Sequence, residues 1–395
     1  MSSVFWLFVR ALGTIVFANT YIGGLVLRVL RGDKWDETDD EFEPTVTIVV
    51  PLYNEGAAIR ETLESVLASE YPHDKLRVAC VDDGSSDDSY EIACAVARQD
   101  PRLSVSRNAS NRGKRYSINA AVKASDSEII VSVDSDVIVE RRAVRELVRR
   151  FTSPKIAAVG GWVDVRNKHD NWLTRMQVIR YWFAYHVSRS IECGFRRVMC
   201  LSGCLTAYRR SVLVELTPIL EAREILGVAI KYGEDRFLTR QIVKAGYLTV
   251  LTVDAHCRTF VPTTLTGFFS QQLRWRRSRI VDYTSACSHV WRLNPLLAIH
   301  YFSLAVLTVI YPIGVYHVLA AHRFFAAVLV HAQLLVLFGV FYRWQVRRHP
   351  AGERVGVLSY APLAMVLPVT FALLTPLALF TLDSTSWETR FAPKR

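Results

Sequence analysis

Asp134-Ser135-Asp136, Gly233-Glu234-Asp235-Arg236 and Gln271-Gln272-Leu273-Arg274-Trp275 follow one another along the chain, and each has the makings of chemistry. Two carboxylates one residue apart offer hard oxygens to Mg²⁺ or Mn²⁺, ions that bind through one or two carboxylates together with a substrate's phosphates. An ion held there would neutralise charge on a departing nucleotide diphosphate. Asp235 could take the proton of an attacking hydroxyl, because inversion at an anomeric carbon needs a carboxylate opposite the leaving group. Glu234 beside it could orient a loop instead. Arg274 suits phosphate through its planar fork, and Trp275 offers a flat face to a sugar ring.

Two further runs lie upstream. Asp82-Asp83-Gly84-Ser85 carries carboxylates that can accept hydrogen bonds from a uracil or ribose, with a glycine for the tight turn. Asn111-Arg112-Gly113-Lys114-Arg115 offers two cations to a diphosphate. Each run alone has a plainer reading: an Asp-Gly turn, a solvated basic turn, a capping pair of aspartates, or a surface Glu-Asp pair. The Gln271 to Arg279 stretch could equally be a basic amphipathic helix on a membrane surface. Their common order favours the chemical reading.

The elements that must position these residues show in the hydrophobic pattern. Val46 to Pro51, Leu76 to Val81 and Glu128 to Val133 read as buried strands, with a shorter one at Leu103 to Ser106. Helical patterns run from Ala57 to Ala68, from Asp88 to Arg98 and after Gly113. Strands alternating with helices predict an α/β domain with a parallel sheet and its ligand at the strands' carboxyl ends.

Apolar blocks frame this domain. A hydrophobic content of 51% points to membrane segments. Val4 to Leu30 is long enough to span a bilayer. Arg28, Arg31 and Lys34 follow it and place the next domain in the cytoplasm. Residues 1–32 are thus expected as an anchor, 33–45 as an acidic linker and 46–262 as the catalytic domain. Interfacial helices should follow at 263–295 and a transmembrane hairpin at 296–342. The block 355–382 holds Pro362, Pro368 and Pro376, which predicts a broken re-entrant or third segment, with 383–395 as a cytosolic tail. The net charge of +11 fits a bilayer surface and nucleotide phosphates, since no nucleic-acid motif accompanies it. Seven cysteines, an odd number without a C-x-x-C pair, read as free thiols.

The chain resembles the processive family 2 glycosyltransferases of membranes, above all bacterial hyaluronan synthases and nodulation-type chitin-oligosaccharide synthases. Val81-Asp-Asp-Gly-Ser85, Asn111-x-Gly-Lys114, Asp134-x-Asp136, Val165-Arg-Asn167 and Asn171-x-Leu-Thr-Arg175 carry the resemblance. So do Cys200-Leu-Ser-Gly203, Tyr208-Arg-Arg-Ser211, Gly233-Glu-Asp-Arg236, Gln271-x-x-Arg-Trp275 and Trp387-Glu-Thr-Arg390. It implies a cytosolic nucleotide-diphospho-sugar transferase domain of GT-A type, flanked by transmembrane helices of a multi-pass plasma-membrane protein.

By residue the resemblance implies Asp235 as base and Asp136 at the metal. Asp83, Lys114, Asp134, Arg274, Trp387 and Arg390 would meet the nucleotide. Gln271, Trp275, Cys200 and Gly203 would meet the growing glycan acceptor. UDP-GlcNAc, with or without UDP-glucuronate, would be the donor, and the lipid bilayer a further partner. Two departures stand out: Cys204 replaces the proline usual after Gly203, and Glu388 replaces the glycine usual in the terminal motif. Rival readings are a transferase placing one sugar on a lipid carrier, and a scaffold with an inactive domain.

Overall fold

The computed structural model describes residues 3–23, 26–27, 30, 37–186, 189–225, 227–230, 232–348 and 354–382. The chain divides into two compact units. A sheet unit draws on residues 31–164 and 195–260. A helical unit draws on 1–30, 165–194 and 261–382.

The sheet unit is built on β1 (Val46–Leu52), whose seven residues are all buried. An unbroken β-branched run of this kind suits a strand covered on both faces. β1 lies between β2 (Leu76–Asp82) and β4 (Ile129–Ser132), parallel to both, and β3 (Leu103–Arg107) runs parallel beside β2. The helices Ala58–Leu67, Ser89–Ala97 and Lys114–Ala124 follow β1, β2 and β3 in turn. This half matches the sequence expectation within a residue or two.

The other half departs from a parallel sheet. After β5 (Val137–Val139) and β6 (Ile156–Val165), β7 (Thr206–Arg209) runs antiparallel to both β4 and β6. β8 (Glu224–Ile225) and β9 (Val228–Ala229) form a separate two-stranded ribbon. β10 (Leu248–Thr259) pairs antiparallel with β5, and the eight-stranded sheet has the order β3-β2-β1-β4-β7-β6-β10-β5. The sheet is therefore mixed. Antiparallel neighbours need no helical crossover, so the alternation of strand and helix that signalled the first half is missing here.

Two glycines inside β6 let neighbouring segments approach. A methyl on Gly161 would stand 2.6 Å from Leu205 Cδ2 and 2.7 Å from the Ala255 carbonyl oxygen. At Gly160 the nearest atom, at 2.7 Å, belongs to the Leu201 side chain.

In the helical unit, Asn294 caps the helix Pro295–Ala320 by accepting from the Leu296 N–H at 2.9 Å. Pro295 then opens the first turn, where a missing N–H costs nothing. This 26-residue helix, mean hydropathy 1.9, is the one among the described residues long and apolar enough to cross a membrane. The helix Phe324–Gln345 follows it in the chain. The N-terminal block forms the helix Ser3–Phe17 and a π-turn Ala18–Gly23. In the proline-rich block a 3-10 turn, Val357–Tyr360, precedes the helix Leu363–Leu379, with Pro362 at its N-cap. Its 17 residues fall short of the ~20 that a straight span needs.

Gly161→Ala is expected to lower stability by about 1–3 kcal/mol, because a backbone carbonyl in the sheet cannot yield. Gly160→Ala should cost less, since Leu201 can turn aside. Thermal unfolding of both variants checks this, and the reverse order would contradict the packing described.

Candidate active site

The carboxyl ends of β1, β2 and β4 lie side by side in register, Leu52 opposite Asp82 and Val49 opposite Ser132. The loops leaving them are tied together. Asn54, at a left-handed φ of 52°, donates its N–H to Ser85 Oγ at 3.0 Å and accepts from the Ser86 N–H at 2.8 Å. The Glu55 carboxylate accepts from Ser135 Oγ at 3.0 Å. Gly84 has a φ of 78°, and a side chain there would strike the Ser110 backbone at 3.0 Å. The strand ends thus form one fixed edge.

Asp82 and Asp83 divide the work of the Asp-Asp-Gly run. Asp82 is fully buried and meets Arg107 Nε at 3.0 Å. The Asp83 carboxylate accepts from Asn108 Nδ2 at 2.8 Å and from the backbone N–H groups of Arg112 (3.0 Å) and Gly113 (2.6 Å). Those three bonds fix the loop 108–113, and Gly113, at a φ of 93°, opens the helix that begins with Lys114. Asp83 therefore also sets where the lysine points.

Lys114 Nζ lies against Asp134 Oδ1 and 3.1 Å from Glu234 Oε1, with 10% of its side chain exposed. Burial pulls its pKa down, but the charges of Asp134, Glu234 and Asp235 outweigh burial and the net shift is upward. Gly203 completes the enclosure. A methyl there would stand 2.6 Å from Lys114 Nζ and 3.4 Å from Asp134 Oδ1, so no larger residue fits while the lysine keeps its carboxylates.

Asp235 lies in the first turn of the helix Glu234–Lys244, which Gly233 opens in a left-handed conformation at φ 65°. Its carboxylate accepts from the Arg236 N–H at 2.7 Å and from the Gly203 N–H at 3.4 Å. Burial, then the neighbouring charge of Glu234, raises its pKa, while Lys114 and Arg236 pull the other way. A base needs its pKa moved towards the working pH, and this environment does that.

Asp136 Oδ2 accepts from Thr259 Oγ1 at 3.1 Å, so β10 aims that carboxylate. Among the described residues no three of His, Cys, Asp and Glu gather as a closed metal site. Mg²⁺ or Mn²⁺ asks for less, since one or two carboxylates suffice when substrate phosphates complete the shell. Asp134 and Asp136 are the residues that could hold such an ion.

Sequence reasoning missed Glu234 as a partner of Lys114 and Thr259 as the residue orienting Asp136. It singled out Cys204 as a departure but not its contact: the thiol lies 3.6 Å from Asp134 Oδ2, to which it can donate where proline cannot. Burial, with Asp134 adding, raises its pKa well above the usual thiol range. The expected acceptor residues Cys200 and Gly203 flank the turn before β7, with Cys200 buried.

In the helical unit, Gln271, Arg274 and Trp275 lie on the helix Leu265–Cys287. Gln271 is buried, and the Trp275 ring packs beside Tyr181 with centroids 6.1 Å apart. Asn167 and Asn171, from two of the shared motifs, act as clamps here. Asn167 exchanges hydrogen bonds with the Val261 backbone at 2.9 and 3.0 Å. Asn171 caps the helix Trp172–His186 and donates to the Thr263 carbonyl at 2.9 Å. Trp387 and Arg390 lie outside the described residues.

A mixed α/β sheet with acidic residues at its strand ends, and a lysine held among them, is an arrangement suited to a glycosyltransferase. The comparisons agree. The Glycosyl transferase family 2 model matches residues 47–217. An N-acetylglucosaminyltransferase of Bradyrhizobium diazoefficiens is 35% identical over 363 residues, 88% of this chain and 72% of that protein. One from Rhizobium meliloti is 32% identical over 354 residues, covering 88% and 82%. A hyaluronan synthase of Streptococcus pyogenes is 33% identical over 260 residues, covering 64% and 61%. Among solved structures, a mannosyltransferase from Pyrobaculum calidifontis, in complex with GDP-Man and Mn²⁺, shares the fold. Its TM-score is 0.58 at 21% identity, over 91% of this chain and 99% of that one. The chain belongs to glycosyl transferase family 2, with a GT-A-like fold, and is a glycosyltransferase.

The raised pKa of Asp235 has a kinetic consequence. If Asp235 is the base, it works only as the carboxylate, so kcat/KM should fall as pH drops through a value above the ordinary aspartate range near ~3.9. Lys114→Gln removes a cation that holds this pKa down, so the acid limb should move to higher pH. A limb that stays put or moves lower would contradict the geometry.

Proposed function

We propose that the chain is a processive inverting β-glycosyltransferase that builds and exports a GlcNAc-containing glycan from UDP-GlcNAc, with or without UDP-glucuronate. The observation that carries this reading is Asp235, its carboxylate moved up in pKa and held by Gly203 beside Lys114 and Asp134. The names of the relatives support GlcNAc as the sugar. The chain would be a multi-pass protein of the plasma membrane with the sheet unit in the cytosol, and Pro295–Ala320 supports at least one span.

Asp83 and the strand ends would receive the nucleotide, with Lys114 and Asp134 close to its diphosphate. Mg²⁺ or Mn²⁺ at Asp136 would supply positive charge against the departing diphosphate. Asp235 takes the proton of the acceptor hydroxyl as its oxygen bonds to the anomeric carbon and the bond to UDP breaks. Gly203 N–H keeps the carboxylate aimed, and Cys200 and Gly203 form the acceptor turn. Gln271 and Trp275 would hold the acceptor sugar, and Arg274, Trp387 and Arg390 the diphosphate. The order of these motifs along the chain supports those roles.

Asp235→Asn keeps the shape and cannot take a proton. Incorporation of radiolabelled GlcNAc should fall by ~10²–10⁴-fold while UDP affinity stays within a few-fold. Digesting the parent's product with chitinase or hyaluronidase identifies it. Near-normal turnover by the variant would remove Asp235 as the base, and release of a monosaccharide-modified lipid alone would remove processivity.

A further inference from the structure

An aromatic ring on a helix surface has several rotamers open to it, and serves as a sugar platform only if its neighbours hold one of them. Trp275 has such neighbours on the helix Trp172–His186. Arg180 Cζ lies over the Trp275 ring, 5.7 Å from its centroid, and 5.8 Å from the centroid of Phe268. Tyr181 flanks the same indole with centroids 6.1 Å apart and the rings tilted by 56°. Neither residue belongs to a motif that carries the family resemblance.

Helical spacing explains how one cation reaches both rings. Phe268 and Trp275 share a face of Leu265–Cys287, two turns or roughly 10 Å apart along its axis. A guanidinium close to both centroids lies over the turn between them, which carries Gln271 and Gln272. Phe268 is fully buried and anchors the inner end of this stripe. Trp275 is half-buried, so part of its ring stays open. A planar cation is drawn to an aromatic face, and Arg180 thereby backs the indole from one side.

A second observation points to a ligand at this stripe. The Gln271 amide oxygen accepts from Gln272 Nε2 at 3.3 Å, while Gln271 Nε2 is buried without a hydrogen-bond partner among the described residues. A buried donor left unmade is costly, and a hydroxyl or acetamido oxygen of a sugar would take it. Gln271 precedes Trp275 by one helical turn, so one ligand can meet both. We propose that Arg180 and Tyr181 are positioning residues for the acceptor: they hold the Trp275 ring in one pose, its free face presented to a pyranose beside the Gln271 amide. The inference rests on the proposed role of Trp275 as acceptor platform.

The test reads binding of two ligands side by side. Full-length protein in phosphatidylcholine nanodiscs is titrated calorimetrically with chitotriose and, separately, with UDP. Chitotriose affinity should fall at least ~10-fold in Arg180→Gln and ~5-fold in Tyr181→Ala, with UDP affinity held within ~2-fold. Arg180→Lys keeps a cation and Tyr181→Phe keeps a ring, so both should stay within ~3-fold of the parent for chitotriose. Loss of both ligands together would mean general damage to the fold and would overturn the positioning role. So would an Arg180→Lys variant as weak as Arg180→Gln.

Trp275→Ala supplies the reference. Adding Arg180→Gln to it should change chitotriose affinity by less than ~2-fold, because the ring that Arg180 holds is gone. A further loss as large as in the single variant would mean that Arg180 acts elsewhere, and the proposal would fall. If Trp275→Ala binds chitotriose as the parent does, the platform itself is wrong and the positioning role falls with it. If Trp275→Ala loses binding while Arg180→Gln and Tyr181→Ala do not, the positioning role falls alone. Should Arg180→Gln not fold, Tyr181→Ala and Arg180→Lys decide by the same criteria.

Discussion

An ammonium group removed from water must be surrounded by anions, and the arrangement of the sheet unit follows from that requirement at Lys114. Its carboxylates come from distant segments: Asp134 from the end of β4, and Glu234 and Asp235 from the turn opened by Gly233. Leaving a buried charge without its partner costs about 3–5 kcal/mol, so these segments must meet for the fold to be stable. The same cation lets three carboxylates share one small volume, which their mutual repulsion would otherwise forbid. Asp83 contributes from below by fixing the loop that carries Lys114, and Gly203 by leaving it room.

This enclosure gives neighbouring carboxylates different properties. Asp134 faces Lys114 directly, Asp136 is aimed by Thr259, and Asp235 is shifted upward by burial and by Glu234. Carboxylates from the end of β4 and from the first turn of the helix Glu234–Lys244 thus lie on either side of one lysine. The helical unit follows a different logic. Its asparagine clamps and caps hold helix starts in place, while its arginines sit on aromatic faces.

Much of this was legible in the sequence, for physical reasons. β1, β2 and β4 are buried on both faces, so their apolar runs stand out, and the helices between them show the 3.6-residue period. Asp134 and Asp136 stood out as a carboxylate pair at the end of an apolar strand, and Asp235 chiefly through the family resemblance of Gly233-Glu-Asp-Arg236. The antiparallel strands were not legible: β7 is four residues long, and β10 is only partly buried along its length. Nor could spacing reveal that Glu234 pairs with Lys114, since the two are brought together only by the fold. In the last apolar block the chain changes from the 3-10 turn Val357–Tyr360 to the helix Leu363–Leu379 at Pro362, a helix start where the ring is tolerated.

The central claim is that the end of β4 receives the donor's diphosphate together with a divalent ion. Calorimetric titration of UDP, with and without Mn²⁺, into the parent and Asp136→Ala tests it most directly. Mn²⁺ should raise UDP affinity at least ~10-fold in the parent, and little or not at all in the variant. An equal rise in both proteins would contradict the account.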